Sequence, residues 1–138
     1  MMRNFREYEA WQKGMVLTKN IYLLTATFPS TEAYGLSSQL QRAAVSIPSN
    51  IAEGAGRESS TEFAHFLDIA LGSSYEVETQ LLLAESFAYA DQAIVNELIT
   101  SVQAIQCQIS NLIKSIRNKQ KSNNQQSAQQ KESNEQNL

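Results

Sequence analysis

The chain has 138 residues and a formal net charge of −3, with 42% hydrophobic and 18% charged residues. This length supports one domain with a single core. The mild acidity argues against sequence-independent binding of one chain to nucleic-acid phosphates. No apolar run is long enough to span a bilayer and the first residues lack a signal-peptide core, so we expect a cytoplasmic protein without membrane attachment.

Two amphipathic helices are predicted in the first half of the chain. The first runs from about Phe5 to Phe28 and ends before a proline. Its large apolar residues recur at helical spacing: Tyr8, Trp11, Met15 and Tyr22, widened by Val16, Leu23 and Leu24. The second begins near Tyr34, and its apolar stripe passes through Pro48 without losing phase. This continuity predicts one kinked helix, with Gly54 and Gly56 at its end.

Two more helices are predicted in the second half. Ser59 and Glu62 have the spacing of a capping box, and the helix that follows is apolar on more than one face, with a main stripe that ends at Ala88. The fourth helix begins at Asp91, a residue type that caps helix N-termini well. A strict seven-residue repeat predicts its core face: Ile94, Leu98, Val102, Ile105, Ile109, Leu112 and Ile116.

These elements predict an all-α fold, an antiparallel up-and-down four-helix bundle over residues 1–118. The composition then changes, since residues 119–138 are rich in Asn, Gln and Ser and contain almost no apolar side chains. Such a segment buries too little surface to offset the entropy of ordering it. We therefore predict a disordered C-terminal tail.

The polar face of the second helix is the first candidate site. It carries Arg42, Ser46, Ser49, Asn50, Glu53 and Arg57. One interpretation makes Arg42, Asn50, Glu53 and Arg57 contacts to a protein or nucleic-acid partner. The other is a solvated face with an Arg–Glu pair, and we favour it because polar faces are the rule on bundle helices.

Catalytic, cofactor and metal sites are not predicted. His65 and Cys107 are the only residues of their types, so one chain cannot form a Cys/His metal cluster. The Glu-x-x-His motifs of di-metal bundles do not occur. The stretch GAGRESS follows a helix rather than a strand and lacks a Gly-Lys-Ser/Thr sequence, so it is better explained as a capped turn than as a phosphate loop.

More apolar residues are present than one bundle interior needs. On the third helix the surplus is Ile69, Leu82, Leu83 and Phe87, and on the fourth it is Val95, Ile99 and Ile113. Exposed apolar patches of this kind mark protein interfaces. We therefore expect a homo-oligomer, with Ile69, Leu82, Leu83 and Phe87 as candidate interface residues.

Two stretches, YGLSSQLQRAAVSIPSNIAEGAGR and EFAHFLDIALGSSYEVETQLLLA, resemble the bacterial four-helix-bundle family of 23S rRNA intervening-sequence proteins, also called ribosomal-protein-like four-helix-bundle proteins. The similarity extends over about residues 5–118 and leaves out the tail. It implies an antiparallel bundle that assembles as a homopentamer around a central pore. A related branch, the accessory variability protein of diversity-generating retroelements, is basic and binds a reverse transcriptase and nucleic acid.

The resemblance supplies no catalytic residue and leaves two main hypotheses. The first is a non-enzymatic oligomeric scaffold or adaptor, which fits a chain more acidic than the retroelement branch. The second is an RNA- or DNA-binding accessory protein, whose basic patch would form on the assembled oligomer. An enzyme or a metal-binding bundle is the least favoured third hypothesis. Gln41, where the family often has a second basic residue, weakens the nucleic-acid hypothesis.

Overall fold

A computed structural model describes residues 3–137. The predicted bundle begins at Met1 and the predicted tail ends at Leu138, so Met1, Met2 and Leu138 lie outside the described residues. Within it the chain forms four helices and no strand: α1 (Glu9–Thr25), α2 (Leu36–Ala55), α3 (Ser60–Ser86) and α4 (Gln92–Gln136). Short 3₁₀ turns occupy Phe5–Glu7 and Ser30–Glu32. Each helix packs antiparallel to the next, and α4 returns beside α1. The predicted four-helix bundle is confirmed.

Helix α1 buries a different face from the predicted one. Its buried residues are Ala10, Gly14, Leu17, Ile21, Leu24 and Thr25. Met15, Val16, Tyr22 and Leu23, which the sequence pattern placed in the core, are exposed. The small Ala10 and Gly14 explain the difference, because they let the backbone of α1 approach its neighbours closely and turn the large side chains outward.

Helix α2 is continuous through Pro48, as predicted. A proline has no backbone N–H, so the Ala44 carbonyl four residues earlier loses its usual helical donor. The Thr18 hydroxyl of α1 lies 3.1 Å from that Ala44 oxygen and 2.8 Å from the Gly14 oxygen, so one proton is shared between the two acceptors. Beside it, Gly14 faces the proline ring, and a Cβ built there would lie 3.3 Å from Pro48 Cδ.

Helix α3 ends earlier than predicted. Ser59 caps its N-terminus by accepting a hydrogen bond from the Glu62 amide at 3.1 Å. At the other end Ala88, predicted to extend the apolar stripe, lies past the helix with φ at 62° and is exposed. The Tyr89 amide bonds back to the Ala84 carbonyl at 2.8 Å, which is the closure of a helix C-cap that requires a left-handed residue.

Helix α4 buries a stripe slightly rotated from the predicted one. Val95 is 0% exposed and Ile113 also lies in the core, although both were predicted to be surplus. Conversely, Ile94 is 43% exposed. A straight α-helix has 3.6 residues per turn, so a core face drifts away from a strict seven-residue repeat over several turns.

The C-terminal segment also differs from the prediction of disorder. Helix α4 continues to Gln136, and residues 121–137 are exposed throughout. The last side-chain contact with the bundle is a hydrogen bond from Gln120 to the Thr61 hydroxyl at 2.9 Å. The segment contains neither Gly nor Pro, and Gln, Lys, Glu and Ala readily extend a helix that is already nucleated.

Candidate functional site

The predicted polar face of α2 does not form one site. Arg42 and Arg57 are fifteen residues apart, which separates them by about 22 Å along a helix. Arg57 lies just past the helix end, where its guanidinium pairs with Glu53 at 3.0 Å and lies 4.8 Å from the centre of the Phe66 ring. Both members of the pair are exposed, so it contributes little stability. Glu53 and Arg57 thus serve the turn into α3.

Asn50 belongs to a polar contact between α2 and α3. Its amide nitrogen donates to the Ser46 carbonyl at 2.8 Å and to the Ser46 hydroxyl at 2.9 Å. That hydroxyl lies 2.7 Å from the hydroxyl of Ser73 on α3. Ser73 is buried and was missed by sequence reasoning, because only the packing of two helices brings it to Ser46. This cluster fixes how α3 lies on α2.

A cleft of about 460 Å³ opens between α2 and α3 beside these serines. We call it the α2–α3 cleft, and its lining residues are Gln39, Arg42, Ala43, Ser46, Ile69, Ser73, Glu76 and Gln80. The side-chain oxygen of Gln80 is buried and has no hydrogen-bond partner among residues 3–137. A buried acceptor without a donor costs about 1–3 kcal/mol. A donor that bonded this oxygen would recover that free energy.

The candidate interface residues on α3 do not share one face. Ile69, Leu82, Leu83 and Phe87 are all between 39% and 54% exposed. Successive residues of a helix point about 100° apart, so Leu82 and Leu83 face different neighbours. Leu83 lies on the same flank as the cleft residues Ile69 and Glu76, each seven residues from the next. Leu82 points toward the α4 side.

Helix α1 exposes large apolar side chains that the sequence pattern placed in the core. Val16 is 60% exposed and Leu23 is 63% exposed, and Met15 and Tyr22 lie beside them. The small residues at positions 10 and 14 are the signal in the sequence that could have identified the true buried face. The outward side of α1 is therefore a second apolar surface.

Basic residues are concentrated at one end of the bundle. Six basic residues gather around the α2–α3 turn: Arg3, Arg6, Arg57, Lys114, Arg117 and Lys119. Arg3 donates to the Arg57 carbonyl at 2.8 Å and lies 4.7 Å from the centre of the Phe63 ring, while Arg117 pairs with Asp68 at 2.6 Å. Four of the eight carboxylates of α3 and α4 lie toward the opposite end: Glu76, Glu78, Glu85 and Glu97.

At that opposite end, Glu32 joins the two connecting segments. One carboxylate oxygen accepts the Leu36 amide at 2.9 Å, at the start of α2, and the other accepts the Tyr89 hydroxyl at 3.0 Å. The hydrogen bond to this carboxylate, with a smaller contribution from burial, raises the pKa of Tyr89. Tyr89 also packs against Phe28 and Phe87, with 5.6 Å between ring centres in each pair.

The two residues considered for chemistry lie apart from these surfaces. His65 is exposed, with its ring against Phe66, and Cys107 is exposed on α4. Among residues 3–137, His, Cys, Asp and Glu side chains form no group of three or more that could hold a metal ion. No helix in the described part of the chain has both the length and the apolar character needed to cross a membrane.

The fold and these surfaces define an all-α bundle with apolar and charged outer faces. The model of the 23S rRNA-intervening sequence protein family matches residues 6–111, and the chain belongs to this family. The resemblance inferred from the sequence is thus confirmed. A comparison with curated proteins finds no match.

Among solved structures, the chain is similar to a protein of unknown function from the S23 ribosomal protein family of Bacteroides thetaiotaomicron. The two share 23% identity with a TM-score of 0.69, over 76% of this chain and 98% of that chain. At this identity the similarity shows the fold alone. Neither the family's name nor the description of this neighbour states an enzymatic activity.

Proposed function

We propose that this chain is a non-enzymatic scaffold or adaptor of the cytoplasm that works as a homo-oligomer, a pentamer as the family resemblance implies. The observation that supports it best is the apolar exposure on two helices of the bundle. Met15, Val16, Tyr22 and Leu23 are exposed on α1, and Ile69, Leu83 and Phe87 are exposed on α3. Exposed apolar side chains that recur along one side of a helix are typical of protein interfaces.

Burial of these apolar side chains between copies would stabilise an oligomer. Fully burying one exposed large apolar side chain contributes about 1.5–3 kcal/mol, and these side chains are already about half buried, so each contributes roughly half of that and several are needed to offset the entropy of association. Sedimentation equilibrium at micromolar concentration tests the proposal, and the expected mass is five times that of one chain. A single-chain mass at the highest soluble concentration would rule out the oligomeric scaffold.

A second candidate function is binding of RNA or DNA as an accessory protein. The clustering of Arg3, Arg57, Lys114 and Lys119 near one end favours it, because each copy in an oligomer would add to the same patch. Structured RNA is then expected to bind at low salt and to dissociate steeply as salt rises.

Variants that remove positive charges test whether RNA binding depends on these basic residues. Lys114→Ser with Lys119→Ser should weaken binding and flatten its salt dependence, whereas Lys131→Ser in the exposed tail is the control and should change little. If the unmodified protein leaves structured RNA unshifted at low salt, nucleic-acid binding is excluded and the scaffold function stands alone.

A further inference from the structure

Helix α3 carries a second regular stripe besides the one that faces the core. Its members recur in steps of four and three along the flank that borders the α2–α3 cleft: Ile69, Ser73, Glu76, Gln80, Leu83 and Phe87. We call them the α3 seam. Such a repeat is the pattern by which one helix receives another. The seam is apolar at both ends and has Glu76 and Gln80 near its middle.

The outward side of α1 carries a stripe with the same steps: Gln12, Val16, Lys19, Leu23 and Ala26. We call them the α1 ridge, and all five are exposed. Lys19 lies at its middle, between Val16 and Leu23. Lys19 is flanked by Val16 and Leu23, whereas Glu76 is flanked by Ser73 and Gln80, so ridge and seam share the same steps and carry opposite charges near their middles.

The two charges lie at the same height in the bundle. Thr18 of α1 is level with Ala44 of α2 through their 3.1 Å contact, and Ser46 is level with Ser73 of α3 through their 2.7 Å contact. Because α2 and α3 are antiparallel, the step from Ser46 back to Ala44 corresponds to a step forward from Ser73 to Tyr75. Thr18 is therefore level with Tyr75, and Lys19 with Glu76.

Equal height matters because of ring symmetry. Helices α1 and α3 run in the same direction, and a closed ring about an axis parallel to them involves rotation without translation. A ridge on one copy then meets a seam on the next copy at its own height. The ridge and the seam belong to different faces, which is the condition for a heterologous interface that closes into a ring.

The α2–α3 cleft also has groups that an incoming lysine would satisfy. Neither Lys19 nor Glu76 has an ion-pair partner among residues 3–137. Glu76 and Gln80 are one turn apart, so a single ammonium with three donors can bond both the carboxylate and the partnerless Gln80 oxygen. Arg42 also lines this cleft, on its α2 side.

We propose that the α1 ridge of one copy docks in the α2–α3 cleft of the next, with Lys19 bonded to Glu76 and to the Gln80 side-chain oxygen. The occupant of the cleft is thus a second copy of this chain. The proposal rests on the homo-oligomeric function proposed above and adds the two faces and the register by which copies meet.

Charge reversal tests the register. Glu76→Lys sets a third positive charge beside Arg42 and Lys19, and is expected to raise the concentration at which the oligomer dissociates about tenfold or more. Adding Lys19→Glu to Glu76→Lys should restore assembly. Glu132→Lys in the exposed tail makes the same change in net charge and is expected to leave assembly unchanged. Circular dichroism should show equal helicity in all variants, because the substituted side chains are exposed.

The outcomes distinguish failure of the scaffold function from failure of the docking register. A monomeric unmodified protein would overturn the scaffold function and this inference together. If Glu76→Lys assembles as well as the unmodified protein, or if Lys19→Glu fails to restore it, the docking register is wrong while the oligomeric function stands. Loss and restoration by this pair, with the tail control unaffected, supports the docking.

Cysteine cross-linking provides a second measurement, which reports directly on which two faces meet. In a Cys107→Ser background, Lys19→Cys together with Glu76→Cys is expected to give a ladder of covalently linked oligomers with a short bis-maleimide cross-linker, which spans the distance that the two long side chains bridge. Either cysteine alone should give no ladder, because a heterologous interface pairs two different faces. Dimers from the single variants and none from the double variant would overturn the proposed pairing.

Discussion

The Thr18 hydroxyl of α1 lies 3.1 Å from the Ala44 carbonyl of α2, the acceptor that Pro48 deprives of its helical donor. The gap that proline makes in the hydrogen bonding of α2 is therefore closed by the neighbouring helix. This contact also fixes the height of α1 against α2, since Gly14, one turn before Thr18, faces the proline ring. The proline thus specifies helix pairing as well as helix shape.

Thr18→Val should destabilise the bundle by about 1–3 kcal/mol, because the isosteric valine leaves the Ala44 carbonyl without a donor. Urea unfolding followed by circular dichroism measures the change. The control is Thr100→Val, where the lost bond is an exposed one from the hydroxyl to the Asn96 carbonyl within α4. Equal effects of the two substitutions would contradict a special role for Thr18.

Gly14→Ala should cost about 1–3 kcal/mol through overpacking. The added Cβ would lie 3.3 Å from Pro48 Cδ and 3.4 Å from Ile47 Cγ2, and the proline ring cannot rotate away. Gly72→Ala is the matched control, because a Cβ there meets nothing within 4 Å. In that helix interior alanine should stabilise by about 0.5–1 kcal/mol. The same unfolding measurement compares them, and a stabilising Gly14→Ala would refute the close packing.

Ala88→Gly should stabilise the protein by about 1 kcal/mol. Ala88 has φ at 62°, a left-handed conformation that costs an alanine about 1–2 kcal/mol and a glycine almost nothing. Thermal or urea unfolding measures the gain. The reference is Ala90→Gly, two residues later. Ala90 does not have a positive φ, so the same substitution there should not stabilise the protein.

Stability should fall at high pH because of Tyr89. Its pKa is raised in the folded protein above the ordinary value of 10.0, chiefly by the hydrogen bond to the Glu32 carboxylate. The stabilising contribution is therefore fully present below pH 10 and is lost as pH rises through the higher folded-state pKa. Tyr89→Phe should lower stability at pH 8 and lessen the alkaline fall.

Urea midpoints at pH 8 and above pH 10 test this behaviour, with Tyr34→Phe as the control, since Tyr34 is fully exposed. An ultraviolet titration comparing the unmodified protein with Tyr89→Phe should show one phenol that ionises later than the rest. Identical alkaline profiles for the unmodified protein and Tyr89→Phe would contradict the Glu32 contact.

Local patterns in the sequence were sufficient for the fold class and for the continuity of α2, where the apolar phase on both sides of Pro48 agrees. They were insufficient for α1, since hydrophobicity alone favours Met15 and Tyr22 for the core, whereas Gly14 and Ala10 occupy it. Which face a helix buries depends on how closely its neighbour approaches. That approach is a property of two segments together.

The candidate site shows the same limit. A helical wheel puts Arg42 and Arg57 on one face of α2, but it ignores the rise that separates them along the axis. The cleft beside Arg42 takes its other wall from Glu76 and Gln80, more than thirty residues later in the chain. Asn50, one of the candidate partner contacts, donates its amide to Ser46, a bond within α2 that the sequence pattern did not indicate. The packing of α3 on α2 decides each of these points.

In the proposed homo-oligomer, the length of α4 would give the particle two unlike ends. Residues 121–136 continue the helix beyond its last bundle contact at Gln120, so about 24 Å of polar rod projects past the α2–α3 turn. In a ring of parallel copies every rod leaves on the same side. That side would be a fringe of amide-rich helices around a rim that holds most of the basic residues, and the opposite side would be short and acidic. A single cyclic particle would then distinguish two partners by the end that each approaches.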